Sequence, residues 1–138
     1  MPPQISKLAA AKRQLVTAIR LHFAEEDTVS VLSLASNAWE VIDELCKLRG
    51  VDSLSRETEE HVPDGLNLKK NFINSPYRNF FKHADRDPDD TIEPPPDSTV
   101  DGILMLAVED YLRLNQQGPV ELQVFQLWFL AVASRTIA

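Results

Sequence analysis

Cysteine and glycine are both scarce in this sequence, and each scarcity excludes a class of site. Cys46 is the only cysteine among 138 residues, so neither an intramolecular disulfide nor a cysteine-rich metal centre can form within the chain. Such cysteine usage is typical of a reducing compartment, and we predict a cytoplasmic protein. The four glycines are dispersed, which excludes a glycine-rich phosphate-binding loop.

Long apolar runs are absent as well. The longest candidate, residues 122–133, is interrupted by Gln123 and Gln126 and is shorter than the roughly 20 residues that a membrane span requires. Neither the alternating pattern of a half-buried strand nor an internal repeat stands out in the chain. We therefore expect no membrane contact and a single helical domain over residues 1–138, a length that suits one hydrophobic core.

Charge is unevenly distributed along the chain, whose net charge is -7. An acidic excess of this size argues against a protein that coats nucleic acid non-specifically. Residues 65–86 are an exception, because they hold five basic residues against Asp85 alone. An anionic ligand at that segment is therefore compatible with the acidic chain. The basic residues 1–24 contain no acid and are interpreted as a first helix, with a mitochondrial presequence as the alternative.

The sequence is rich in the 3.6-residue periodicity of amphipathic helices. Three consecutive prolines between Glu93 and Asp97 predict a stiff, extended connection before the last two helices. The predicted fold class is therefore all-α, a bundle of four to five helices with a long irregular polar segment before the last two helices. Helices are expected at about 5–24, 55–61, 66–73, 76–86, 98–116 and 119–135, and Ser98 is expected to cap the helix at 98–116. One more helix is expected between a cap at Asp27 or Ser30 and a stop at Gly50.

The last predicted helix, at about 119–135, is apolar around most of its circumference. Phe125, Trp128 and Phe129 fall on one side, and aliphatic residues cover most of the remainder. A helix with so wide an apolar surface either lies at the centre of a bundle or is shared with a second chain. We therefore predict a homodimer in which this helix takes part.

One segment, residues 77–86, combines many reactive side chains within a predicted helix. At 100° per residue, one face of that helix holds the apolar set Tyr77, Phe80, Phe81 and Ala84. The other face is predicted to be exposed and holds the polar set Arg78, Asn79, Lys82, His83, Asp85 and Arg86. Guanidinium and ammonium groups bind phosphate, amides donate at any pH, and imidazoles transfer protons near neutral pH. The pattern therefore favours a site for a nucleotide or RNA.

The spacing Arg78-Asn79-x3-His83 resembles the Arg-x4-6-His motif of the HEPN superfamily. HEPN domains are four- or five-helix units, usually dimeric, and their ribonuclease members carry that motif. The resemblance implies metal-independent RNA cleavage at a dimer cleft. His83 would act in proton transfer at the ribose 2′-hydroxyl, and Arg78 would stabilise charge on the phosphoryl oxygens. Asn79, Lys82 and Arg86 would bind the substrate.

A wider similarity covers the whole chain. It is similar to a group of small bacterial proteins in which stretches like residues 27–30 and residues 79–88 recur. Within that group, Asn79, Lys82, His83 and Asp85 are the candidates for a shared role.

Two hypotheses remain open, and whether the protein is an enzyme separates them. The first is the HEPN-like ribonuclease, and the alternative is a non-catalytic helical module for interaction or dimerisation. That module would bind a nucleotide, RNA or a protein partner through the same basic face, or would only dimerise through the last helix. A purely structural interpretation of the segment, in which Asn79 and His83 bond backbone carbonyls at a helix end, stands beside both hypotheses. No cofactor and no metal are predicted, since the cations beside His83 and Asp85 oppose a divalent ion there. Cys46 lies beside the apolar stripe of its helix and is interpreted as an inert buried thiol.

Overall fold

The computed structural model describes residues 2–137, except for the side chains of Ser134, Thr136 and Ile137. Within this part of the chain every regular element is a helix, so the predicted all-α fold class is confirmed. A π-helical segment, here called the π-helix (Leu68–Arg78), joins directly onto the short helix α4. The α-helices are α1 (Lys7–Phe23), α2 (Thr28–Leu48), α3 (Leu54–Glu59), α4 (Asn79–Lys82), α5 (Asp97–Leu114) and α6 (Val120–Ile137).

The ends of α1 and α2 follow from local capping chemistry. The Ser6 hydroxyl accepts the Ala9 N–H at 3.0 Å, and the Asp27 carboxylate accepts the N–H groups of two residues in the first turn of α2. Each bond satisfies a donor that the first helical turn leaves without a partner. At the other end of α2, Gly50 adopts a positive φ of 65°, a conformation that stops a helix at little cost for glycine.

The core is organised around α2, which packs against α1 on one side and α5 on the other. Trp39 is fully buried near the middle of α2, and its burial draws the flanking helices together. The remaining fully buried large residues come from all four long helices and include Leu15, Ile19, Leu32, Ile42, Leu104, Val108, Leu122 and Phe125. This single apolar cluster fixes the long helices and leaves the shorter elements at one edge of the bundle.

The central polar region differs from the prediction in two places. The helix expected at about 66–73 begins at Leu68, where Asn67 caps it by accepting the Lys70 N–H. The π-helix is kinked at Ser75, whose φ and ψ are non-helical, so the expected break before Pro76 is present. The helix expected over 76–86 is wrong beyond Lys82, because His83 has φ -124° and ψ 85°, outside the helical region. Residues 83–96 then run irregularly to α5. The side chains of residues 77–86 therefore do not lie on one continuous helix.

The last two helices complete the bundle. Helix α5 begins at Asp97 rather than after Ser98, with Pro96 as its N-cap residue and no side-chain capping bond. Helix α6 packs against α5 and α1, and an ion pair between Arg20 and Glu121 joins it to α1. Helix α6 lies at the periphery of the bundle, so the alternative that places this helix at the centre of the bundle is wrong. No helix in the described part of the chain is long and apolar enough to cross a membrane.

Candidate functional site

Arg78 is buried, which corrects its predicted place on an exposed face. Only 9% of its side chain is accessible. The guanidinium donates to the side-chain oxygens of Asn74 and Asn37, both at 2.8 Å, and pairs with a Glu40 carboxylate oxygen at 2.6 Å. Two of these partners, Asn37 and Glu40, belong to α2, so Arg78 fastens the π-helix to the central helix of the bundle.

The charge of Glu40 is balanced by two cations. Its second oxygen lies 2.8 Å from the ammonium of Lys69, at the other end of the π-helix. Lys69, together with Arg78, holds the pKa of Glu40 below its ordinary value, against partial burial that raises it. The carboxylate is therefore ionised near neutral pH, and both terminal nitrogens of the Arg78 guanidinium are bonded. Arg78 can contact a phosphate only if these bonds break.

The other predicted site residues lie nearer the surface. Lys82 and Arg86 are exposed and form no ion pair within the described part of the chain, whereas Asn79 is half-buried. The His83 side chain is 31% exposed, and its Nδ1 lies 3.9 Å from a carboxylate oxygen of Asp85. The structure thus gathers one imidazole and two unpaired cations at the surface. It does not bring Arg78 into contact with His83.

A cleft of about 520 Å³ lies between α2, α3 and the start of the π-helix. Its walls include the apolar residues Trp39, Cys46, Val51 and Leu68, and charged residues stand around its rim. The sequence pattern did not indicate this cleft, because its walls come from three successive elements whose packing against one another cannot be read from periodicity. A volume of this size is typical of a pocket for a small molecule.

A buried polar network lies behind this cleft. The Trp39 indole N–H donates to Ser55 Oγ at 2.8 Å, and the Ser55 hydroxyl donates to a carboxylate oxygen of Asp110. The Ser55 N–H donates to the other Asp110 oxygen at 3.2 Å. Asp110 is fully buried, and this burial raises its pKa even though the Ser55 hydrogen bonds lower it. The network holds α3 against α2 and α5.

Cys46 lines the same cleft but is chemically quiet. Its thiol donates to the backbone carbonyl oxygen of Asp110 at 3.7 Å. Burial, with the nearby carboxylates of Asp110 and Asp43, raises the pKa of the thiol to about 11. The nucleophilic thiolate is therefore scarce at neutral pH. This geometry agrees with the interpretation of Cys46 as an inert thiol.

An exposed aliphatic row on α6 is the most extended apolar feature of the described surface. It contains Val120, Val124, Leu127 and Leu130, each between about half and two-thirds exposed. The opposite side of the same helix buries Leu122 and Phe125 completely. Helix α6 therefore has two apolar faces, and the domain core covers only one of them.

Comparisons with known proteins do not assign the chain to a family. No family model matches the sequence. No curated protein and no solved structure matches it either. Function is therefore argued from the geometry of this chain alone.

Proposed function

We propose that this chain is a non-catalytic helical interaction module that pairs with a second copy of itself through α6. The observation that carries the proposal is the spacing of exposed residues on that helix. Val120, Val124, Leu127 and Ala131 follow one another at intervals of four, three and four residues, and all are exposed. This is the a/d spacing with which two helices interlock. We call these four residues the α6 seam.

The chemistry of α6 favours a second copy over a charged partner. The chain has a net charge of -7, so two copies repel one another unless they meet at a neutral surface. The seam contains only neutral aliphatic residues, and the ionisable residues of α6 lie near its ends, at Glu121 and Arg135. Antiparallel pairing centred near Leu127 places the Arg135 end of each helix beside the end of the other helix that carries the Arg20–Glu121 ion pair. It also aligns the two helix dipoles favourably.

The small side chain of Ala131 supports close approach of the two helices. A small residue at a seam position lets a larger residue of the facing helix pack into the space beside it. In an antiparallel pair, Ala131 of one copy lies near Val124 of the other. The proposed interface therefore alternates large and small side chains, as packed helix pairs do.

Replacement of Leu127 by glutamate tests the proposal. Leu127 is 68% exposed in the single chain and would become buried in the dimer. The change therefore removes about 1–2 kcal/mol of hydrophobic stabilisation per copy, or roughly 2–4 kcal/mol of the free energy of dimerisation. Two carboxylates would also face each other near the centre of the interface. Since 1.4 kcal/mol corresponds to a tenfold change, the dimer Kd should rise by about a hundredfold.

Leu48 supplies a matched control for this experiment. It is a leucine with comparable exposure, 74%, but it lies at the end of α2, away from the seam. Sedimentation equilibrium of wild type, Leu127→Glu and Leu48→Glu should give a dimer, a monomer and a dimer respectively. A wild type that remains monomeric at all concentrations, or equal dissociation of both variants, contradicts the proposal.

RNA binding or cleavage is the second candidate function, and the cationic surface around His83 favours it. Lys82 and Arg86 are exposed and have no carboxylate partner within the described residues, so both are available to a phosphate backbone. Because Arg78 is engaged by Glu40, this site would use Asn79 and His83 together with the two free cations.

Cleavage assays on purified protein in EDTA test the ribonuclease hypothesis. An enzyme that uses His83 loses activity in His83→Ala and keeps its fold, which circular dichroism checks. His61, an exposed histidine in the loop after α3, provides the control variant His61→Ala. Absence of cleavage by the wild type, or equal activity in all three proteins, refutes the hypothesis. Binding of RNA without cleavage would leave the interaction module as the better description.

A further inference from the structure

A second cavity, of about 400 Å³, lies on the side of the bundle away from the π-helix segment. Its wall is formed by the end of α1, the start of α2, the first turns of α5, and Trp128 of α6. The α6 seam does not line it, so binding in this cavity is independent of dimerisation. A cavity of this volume is large enough for a small organic group.

Aromatic rings form one wall of this cavity. The ring centroids of His22 and Trp128 are 4.8 Å apart, and those of Phe23 and Trp128 are 5.6 Å apart, both in edge-to-face arrangements. His22 also meets the fully buried ring of Phe125 at 5.5 Å. Contacts of this kind hold each ring in a defined orientation. The wall is therefore a rigid aromatic surface, anchored in the core.

Carboxylates also line this cavity. Asp97 and Asp101 come from the first turns of α5, and Glu25 and Glu26 come from the connection between α1 and α2. No lysine or arginine lines the cavity, and no ion pair to Glu25, Glu26 or Asp97 occurs within the described residues. The cavity therefore has a strongly negative potential that no permanent cation of the chain offsets.

One carboxylate oxygen in this cavity has no donor. Asp101 Oδ1 is buried and accepts no hydrogen bond within the described part of the chain. The His22 Nδ1 atom lies 3.6 Å from this oxygen, beyond hydrogen-bonding distance. Burial raises the pKa of Asp101, and His22 opposes that shift. A buried acceptor without a donor is costly, and a cation bound beside it would offset that cost electrostatically.

We propose that the cavity between Trp128 and Asp101 binds an alkylammonium group. Aromatic rings and carboxylates that line one cavity are the combination that recognises a bulky organic cation, because ring faces attract positive charge and carboxylates neutralise it. A bare metal ion fits less well. No group of three or more metal-ligating side chains suited to hold one occurs in the described part of the chain. The ligand is either a small free ammonium compound or the methylated lysine of a peptide.

Isothermal titration with choline tests the binding, with its neutral isostere 3,3-dimethylbutan-1-ol as the matched probe. At pH 8 the wild type should bind choline with a Kd at or below the millimolar range, and the neutral analogue at least about tenfold more weakly. A peptide that carries trimethyllysine forms the second arm. Tighter binding of the peptide identifies a protein tail as the source of the cation, and equal or weaker binding identifies a free compound.

Three variants locate the site. Asp101→Asn keeps the shape of the side chain and should weaken choline binding about tenfold, and Trp128→Leu should do the same by removing the ring. Glu60→Gln, which removes an exposed carboxylate elsewhere on the surface, should leave the affinity unchanged. If Asp101→Asn fails to fold, Glu26→Gln replaces it, because that side chain is exposed. No saturable binding of either cation, or equal binding by the variants and the wild type, overturns the proposal.

Discussion

Replacement of Arg78 by methionine distinguishes a structural arginine from a catalytic one. The substitution keeps an unbranched apolar stem but removes the guanidinium that bonds to Asn37, Asn74 and Glu40. Removing one partner of a buried ion pair typically costs about 3–5 kcal/mol. The cost here is smaller, because the Glu40 side chain is 36% exposed and keeps its contact with Lys69.

These considerations lead to an expected loss of about 2–3 kcal/mol of unfolding free energy for Arg78→Met. A change of that size is a large part of the roughly 5–15 kcal/mol that stabilises a typical domain. The melting temperature should fall by about 6–12 °C, since each kcal/mol corresponds to roughly 3–4 °C for a chain of this size. Thermal and urea unfolding followed by circular dichroism measure both quantities.

Lys82→Met is the control for this prediction. It removes a cation from the same segment, but Lys82 is exposed and forms no ion pair in the described part of the chain. Its unfolding free energy should stay within about 0.5 kcal/mol of the wild type. If Arg78→Met melts like the wild type and instead abolishes an RNA cleavage activity, the structural role assigned to Arg78 is refuted.

Two further predictions concern the buried groups behind the cleft. The pKa of Asp110 in the folded chain is raised above its ordinary value of 3.8. Ionisation of this carboxyl group therefore lowers the free energy of unfolding as the pH rises from 3.8 through the raised pKa. Urea unfolding at about pH 4 and pH 7 should therefore show that the stability of Asp110→Asn relative to the wild type is greater at pH 7 than at pH 4. A difference in unfolding free energy that is the same at both pH values contradicts this prediction. The Cys46 thiol is buried and has a pKa of about 11, so it should react with iodoacetamide only after the chain unfolds. Mass spectrometry measures this labelling, and rapid labelling of the folded protein contradicts the burial of Cys46.

The long helices were predictable because their signals are local. The boundaries of α1 and α6 lie within about two residues of the prediction, since apolar periodicity and end signals such as Gly118 and Pro119 act over a few residues. Asp27 and Gly50 likewise marked the two ends of α2. The all-α fold class follows from these elements alone.

The position of Arg78 could not be predicted in the same way. The helical wheel treated residues 77–86 as one straight helix, but helical geometry ends at Lys82. The partner that pulls Arg78 inward is Glu40, which lies in a different helix. Only tertiary packing determines that contact.

The buried polar network and the second cavity were hidden for the same reason. Ser55 and Asp110 are 55 residues apart in sequence, and no spacing rule connects them. His22 and Asp101 are separated still further, and each one alone looks like an ordinary residue near a helix end. The exposed row on α6 was the exception, because the wide apolar surface of that helix was already visible in its composition.

Disulfide cross-linking through an introduced cysteine tests the central claim, pairing of two copies at the α6 seam, most directly. The native Cys46 is buried with its pKa raised to about 11, so a new thiol reports alone. Leu127→Cys places that thiol near the proposed two-fold axis, where the two copies come within disulfide range. Mild oxidation should convert most of Leu127→Cys to a covalent dimer and leave Leu48→Cys largely monomeric. Equal, slow cross-linking of both variants would contradict the account.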